Sequence, residues 1–186
     1  MNVDVLKGVT VALVTPFDER QQVDEGALRA LVDWQIESGT HALLATGTTG
    51  EASTMTVAEQ LKVIEIVLEA ARDRVPVICG TGANSTAEAI QLSRPAAALG
   101  CAALLLVVPY YNKPTQEGLF RHFQAIAEAV ETPIILYNVP GRTGTNMTAE
   151  TTLRLAQLPQ FIGVKEASGD LTQIMHILRE RPADFL

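Results

Sequence analysis

Cysteine, histidine and basic residues are scarce in this 186-residue chain, and each shortage excludes something. The two cysteines, Cys79 and Cys101, lie inside apolar segments. They read as small buried hydrophobes of a reducing compartment, not as a disulfide or a metal pair. The three histidines, His41, His122 and His176, stand far apart with no partner at ligand spacing, so each reads as a surface or helix-face residue and no metal site is expected. Lysine and arginine number 14 against 21 acidic residues, a net charge of −7, and form no cluster, so nucleic acid is not an expected partner. No apolar run approaches the ~18 residues of a membrane span. The longest, Cys101–Pro109, is strand-sized. The N-terminus has no basic stretch leading into an apolar core and a cleavage site, which makes a cytoplasmic location the expectation. Gly80-Thr81-Gly82 follows an apolar run, but Ser85 stands where a dinucleotide loop needs its third glycine. A phosphate loop and a Gly-x-Ser-x-Gly elbow are also missing, so nicotinamide and serine-hydrolase chemistry lose support.

Hydrophobic residues make up 47% of the chain, enough for a packed core. They fall into short runs: Val9–Thr15, His41–Thr46, Val75–Cys79, Ala102–Val108, Pro133–Asn138 and Phe161–Lys165. Each is near-continuously apolar, the pattern of a strand covered on both faces. Helical stripes lie between them, such as Val57, Leu61, Ile64, Leu68 and Ala71, or Leu119, Phe123, Ile126 and Val130. Thr56-Val-Ala-Glu59 and Ser85-Thr-Ala-Glu88 fit capping boxes. Gly100 ends the third helical pattern, and Pro95 inside it is expected to kink or shorten that helix. Strictly alternating βα units, with strands about 30 residues apart, imply a parallel α/β sheet with right-handed crossovers. An open doubly wound sheet and a closed (β/α)8 barrel both fit. Polar residues load nearly every strand end: Thr15, the 47–51 turn, the 80–84 turn, Pro109–Lys113, Tyr137–Arg142 and Lys165-Glu166. An open sheet concentrates its site at one switch point, whereas a barrel gathers all its strand ends at one mouth, so the barrel is favoured.

Lys165 is the most informative residue. It closes the apolar run Phe161-Ile-Gly-Val164, where desolvation lowers an amine's pKa and frees it as a nucleophile for a carbonyl substrate. The plainer reading is a strand-end lysine that snorkels to water or pairs with Glu166. Tyr137 ends the neighbouring run at a comparable height, where a phenol can shuttle protons, or it is a core tyrosine. Thr48 and Thr49, in a glycine-flanked turn, offer hydroxyls and amides suited to a carboxylate, or form an ordinary polar turn. Arg142 follows Pro140-Gly141 and suits a second carboxylate, or is a solvated loop arginine.

Gly47-Thr-Thr-Gly-Glu51, Tyr110-Tyr-Asn-Lys-Pro114, Tyr137-Asn-Val-Pro-Gly-Arg-Thr-Gly144 and Val164-Lys-Glu-Ala-Ser-Gly-Asp170 together resemble the dihydrodipicolinate synthase family of pyruvate-dependent class I aldolases (lyases). The resemblance runs along the whole chain. It implies that Lys165 forms a Schiff base with pyruvate and that the resulting enamine attacks aspartate semialdehyde, in lysine and diaminopimelate biosynthesis, with no cofactor. Thr48, Tyr137 and Tyr111 match the family's proton relay. Tyr111 matches a tyrosine exchanged between subunits, which implies a homodimer or homotetramer. Thr49 matches the binder of the pyruvate carboxylate, and Arg142 that of the semialdehyde carboxylate. Asn84, Glu88 and Tyr110 match an allosteric lysine site. Val57 and Gln60, however, stand where lysine-sensitive relatives carry histidines, and Ala52 where they carry serine.

The resemblance also implies eight βα units and a C-terminal helical extension. Residues 1–186 read as an incomplete (β/α)8 TIM barrel of about six units, with Asp184-Phe-Leu186 as the start of a seventh strand. Two alternatives stay open. One is a related pyruvate-dependent sugar-acid aldolase, in which only the second substrate differs. The other is a non-catalytic fragment or assembly partner.

Overall fold

Each apolar run folds as a strand in the computed structural model, which describes residues 3–186. The strands are β1 (Thr10–Ala12), β2 (Ala42–Ala45), β3 (Val77–Gly80), β4 (Ala103–Val107), β5 (Ile134–Asn138) and β6 (Phe161–Glu166). Helices intervene: α1 (Glu25–Glu37), α2 (Val57–Ala71), α3 (Thr86–Ala98), α4 (Gln116–Ala127), the single turn α5 (Pro140–Thr143), α6 (Ala149–Leu155) and α7 (Leu171–Glu180). Strand order in the sheet follows chain order. Nothing in that order reverses, so a doubly wound sheet with a switch point is ruled out. By contacts the chain divides into two compact units, residues up to Gly80 with Pro95–Ala103, and Thr81–Arg94 with Leu104–Leu186.

In the first unit β2 pairs in parallel with β1 (Thr10↔Ala42) and with β3 (Leu43↔Val77). Every residue of β2 is buried, as its unbroken apolar run requires. The apolar stripes of α1 (Leu28, Val32) and α2 (Val63, Ile64, Val67) are buried. Arg29 donates to Glu25 of its own helix (2.9 Å) and, across to α2, to Glu69 (2.6 Å). Such exposed pairs add only a few tenths of a kcal/mol, so the buried stripes hold the helices together. Thr56 and Glu59 form the expected capping box on α2. Gly80 is required where it stands: a Cβ there would lie 2.3 Å from the Thr46 carbonyl oxygen. Both cysteines are free and buried. The Cys101 sulfur beside it, together with burial, pushes the Cys79 thiol up, which keeps it protonated and unreactive.

In the second unit β5 pairs in parallel with β4 (Leu104↔Ile134 to Val107↔Tyr137) and with β6. The β5–β6 ladder carries an irregularity. Ile134 pairs with Phe161, but Ile135 pairs with Gly163, so Ile162 is an extra residue. Leu119, Phe123 and Ile126 of α4 are fully buried. The Leu186 N–H donates to the Ile162 carbonyl (2.8 Å), and the Leu186 carbonyl accepts from Val164 (3.0 Å).

Pro95 does not end α3. The helix runs on to Ala98, and the Leu99 N–H bonds to the Pro95 carbonyl at 3.0 Å. The missing proline N–H costs one hydrogen bond. The helix is held on either side of it by buried Ala89, Leu92, Ser93 and Ala96. Of the surface and helix-face readings, His122 fits the second and overturns the first: it is 7% exposed, on the inner face of α4.

Candidate active site

Beyond the Ile162 bulge, Tyr137 of β5 pairs with Lys165 of β6. The bulge decides this. Phe161 to Lys165 is four residues and Ile134 to Tyr137 three; without the extra residue Lys165 would oppose Asn138 and point to the other face. As it is, the Lys165 Nζ lies over the Tyr137 ring, 4.4 Å from its centroid. Tyr137 is buried, and the Lys165 side chain reaches solvent from beside it. Partial burial holds the Lys165 ammonium below the ordinary lysine value, while the ring face opposes this by favouring the cation. The arrangement sets an amine with an enlarged neutral fraction against a phenol, the components needed to attack a ketone and move the protons.

Glu166 does not pair with Lys165. Strand alternation turns it to the opposite face. There its carboxylate accepts from the Asn138 amide (3.0 Å), the Gln173 amide (3.0 Å) and the Ser168 N–H (2.7 Å). Asn138 is fully buried; its amide also donates to Asn146 Oδ1 (2.8 Å), and its Oδ1 accepts from the Met147 N–H (3.0 Å). The sequence marks Asn138 and Glu166 as polar strand ends within the family motifs, and offers Glu166 as a partner for Lys165. Asn146 and Gln173 carry no periodic or motif signal that would single them out.

Arg142 sits in α5, exposed, with its guanidinium free of partners among the described residues. Val139, Pro140 and Gly144 close that turn: the Arg142 N–H bonds to the Val139 carbonyl (2.9 Å) and the Gly144 N–H to the Pro140 carbonyl (2.9 Å). The same turn anchors Tyr111, whose N–H donates to the Thr143 carbonyl (3.2 Å). Tyr111 is held at φ +74°, a strained conformation for a bulky side chain, and is 90% exposed. Asn84 and Tyr110 are joined by a hydrogen bond from the Asn84 amide to the Tyr110 carbonyl (3.3 Å), and Asn112 donates back to the Asn84 carbonyl (3.2 Å). Glu88 lies in the first turn of α3, its N–H bonded to the Ser85 hydroxyl (3.4 Å), and is exposed.

Thr48 and Thr49 belong to the other compact unit, in the turn after β2. The Gly50 N–H donates to the Gly47 carbonyl (3.0 Å) and the Glu51 N–H to the Thr48 carbonyl (3.1 Å). The buried Thr15 hydroxyl fixes the turn from below by donating to the Gly50 carbonyl at 2.7 Å. A Cβ on Gly50 would meet the Leu13 carbonyl oxygen at 2.9 Å, so the turn needs glycine there. Thr48 and Thr49 are left exposed at its tip. No helix of the described residues is long and apolar enough to cross a membrane.

Residues 5–186 match the model of the dihydrodipicolinate synthetase family. The chain is 55% identical, over 98% of its own length and 62% of the relative's, to a 4-hydroxy-tetrahydrodipicolinate synthase of Pseudomonas putida. Among solved structures it resembles dihydrodipicolinate synthase of Acinetobacter baumannii complexed with pyruvate (51% identity, TM-score 0.90, 94% of this chain and 61% of that one). It also resembles the dihydrodipicolinate synthase DapA-2 of Bacillus anthracis (41% identity, TM-score 0.93, 95% and 60%). The chain thus spans about three fifths of the length of the relatives it matches. Over that span its fold is that of an incomplete (β/α)8 barrel.

Proposed function

We propose, since the chain belongs to the dihydrodipicolinate synthetase family, that Lys165 is the nucleophile of a pyruvate-dependent condensation yielding 4-hydroxy-tetrahydrodipicolinate. The neutral amine adds to the C2 ketone of pyruvate. The carbinolamine loses water to give an imine, and loss of a methyl proton gives the enamine. The enamine carbon attacks the aldehyde of aspartate semialdehyde, and the adduct cyclises and is released from the lysine. Tyr137, Thr48 and Tyr111 relay the protons of these steps. Thr49 holds the pyruvate carboxylate and Arg142 that of the second substrate. The lysine supplies the electron sink, so no cofactor takes part.

One observation carries this reading: the register that sets the Lys165 amine over the Tyr137 ring, with the amine's pKa lowered by burial. The 90% exposed, strained Tyr111 supports a role outside its own chain, reaching into a neighbouring copy of a homodimer or homotetramer. Asn84, Glu88 and Tyr110 are proposed as an effector site for lysine on the same grounds of family position, with Asn84 and Tyr110 already joined.

The test is covalent trapping. The chain is incubated with pyruvate and reduced with borohydride, and the peptide bearing Lys165 is weighed. We expect a pyruvate-sized adduct on Lys165 and none in Lys165→Arg. An unlabelled Lys165, under conditions that label a full-length relative, overturns the proposal for this chain.

A further inference from the structure

We infer that Asn138, Glu166 and Gln173 are positioning residues for the Lys165–Tyr137 pair, clamping the ends of β5 and β6 from the opposite face in the one register that stacks the amine on the ring; the inference rests on the imine chemistry proposed above.

The bulge at Ile162 makes this clamp necessary. Phe161, Ile162 and Gly163 are all buried, so hydrophobic burial alone does little to choose between a bulged and an unbulged ladder. In the unbulged register Tyr137 would oppose Val164, Asn138 would oppose Lys165, and Glu166 would lie beyond the end of β5. In the observed register Asn138 opposes Glu166. Its amide then reaches both carboxylate oxygens, at 3.1 and 3.0 Å. The Ala167 N–H adds a bond to the Asn138 carbonyl at 2.8 Å.

Gln173 closes the network from α7. Its amide donates to Glu166 Oε2 (3.0 Å) and to the Met147 carbonyl (3.2 Å), and its carbonyl accepts from Asn146 (2.9 Å). A fully buried asparagine with its donors and its acceptor used fixes one geometry, because any slip leaves polar groups unpaired in the interior. The same bonds draw the Glu166 carboxylate away from Lys165, so the adjacent negative charge is turned off the face where the amine works.

Reactivity of Lys165 tests this apart from catalysis. Acetic anhydride labelling across neutral to alkaline pH, read by mass spectrometry, gives the pH midpoint of Lys165 in the parent and in each variant. In Glu166→Ala the Lys165 midpoint is expected to rise, because the amine loses the partial burial that lowers it. Pyruvate trapping should slow at least about tenfold, as expected for a misplaced reacting group. Glu166→Gln keeps one acceptor oxygen for Asn138 and Ser168 but sets an NH2 against the Gln173 amide, so its loss should be real but smaller than that of Glu166→Ala. A Glu166→Ala chain that keeps the parent's circular dichroism and labels like the parent overturns the clamp. So does a Glu166→Gln chain that falls as far as Glu166→Ala, because the acceptor it retains for Asn138 and Ser168 would then fix nothing. If Glu166→Ala does not fold, Gln173→Ala decides. A raised Lys165 midpoint there supports the clamp, and an unmoved one overturns it. A parent that forms no pyruvate adduct, while the Lys165 midpoint still shifts in the variants, overturns the imine reading and leaves the clamp standing.

Discussion

Replacing His122 by glutamine should flatten the acid side of this protein's stability curve. His122 is 7% exposed, and its Nδ1 lies 2.8 Å from the Thr86 hydroxyl. Its Nε2 is buried with no hydrogen-bond partner among the described residues. Protonation would place a charge beside that unpaired nitrogen, and burial accordingly pulls the His122 pKa down to about 4. An unfolded histidine titrates near 6.5, so between these values the unfolded chain binds the extra proton and the folded one does not. Stability from this group is therefore full above about pH 6.5 and is lost as the pH falls toward 4. Linkage gives a loss of about 2 kcal/mol by about pH 5 and about 3 kcal/mol by about pH 4. Exposed carboxylates such as Glu25, Glu117 and Glu150, which favourable partners hold below their ordinary values, also lose their stabilising effect in acid. They are unchanged in the variant, so the difference between the two curves isolates His122. Urea unfolding followed by circular dichroism, at neutral pH and in steps toward pH ~4.5, measures that difference. Glutamine can keep a bond to Thr86 but cannot titrate. Parallel stability curves for the parent and His122→Gln would refute the reasoning.

Two substitutions separate backbone fit from chemistry. Gly80→Ala drives a methyl group to within 2.3 Å of the Thr46 carbonyl and should cost about 3 kcal/mol or more. Gly141→Ala, with open space around it inside a helical turn, should change stability by no more than about 1 kcal/mol. Thermal unfolding checks both, and equal shifts in Tm would show that the crowding at Gly80 is relieved elsewhere. Arg142→Ala should leave borohydride trapping of pyruvate at Lys165 unchanged while raising KM for aspartate semialdehyde at least about tenfold, the loss of one bidentate charged contact. A coupled condensation assay reads this. An equal loss in pyruvate trapping would place the arginine on the wrong substrate.

The layout of strands and helices was legible because each βα unit repeats two strong signals, a short unbroken apolar run and a capped, striped helix. Where those signals thin, the reading stops short. β1 keeps only Thr10–Ala12 of a longer apolar run whose Val9 and Val14 are exposed. One turn of helix at Pro140–Thr143 is too brief for any periodicity to reveal, although it carries Arg142. The site was harder to read for a related reason. The same continuity that makes β6 recognisable as a doubly covered strand erases the alternation that would show which way Lys165 faces. Phe161-Ile162-Gly163-Val164 reads alike in either register, and a single inserted residue decides whether the lysine lies over Tyr137 or against Asn138. What selects the register is a set of amides and one carboxylate separated by up to 35 residues, from Asn138 to Gln173. Their pairing leaves no pattern in the chain because it depends on distance in space. The proposed nucleophile was thus visible as a residue type, and its orientation emerges only once the polar side of the sheet is built.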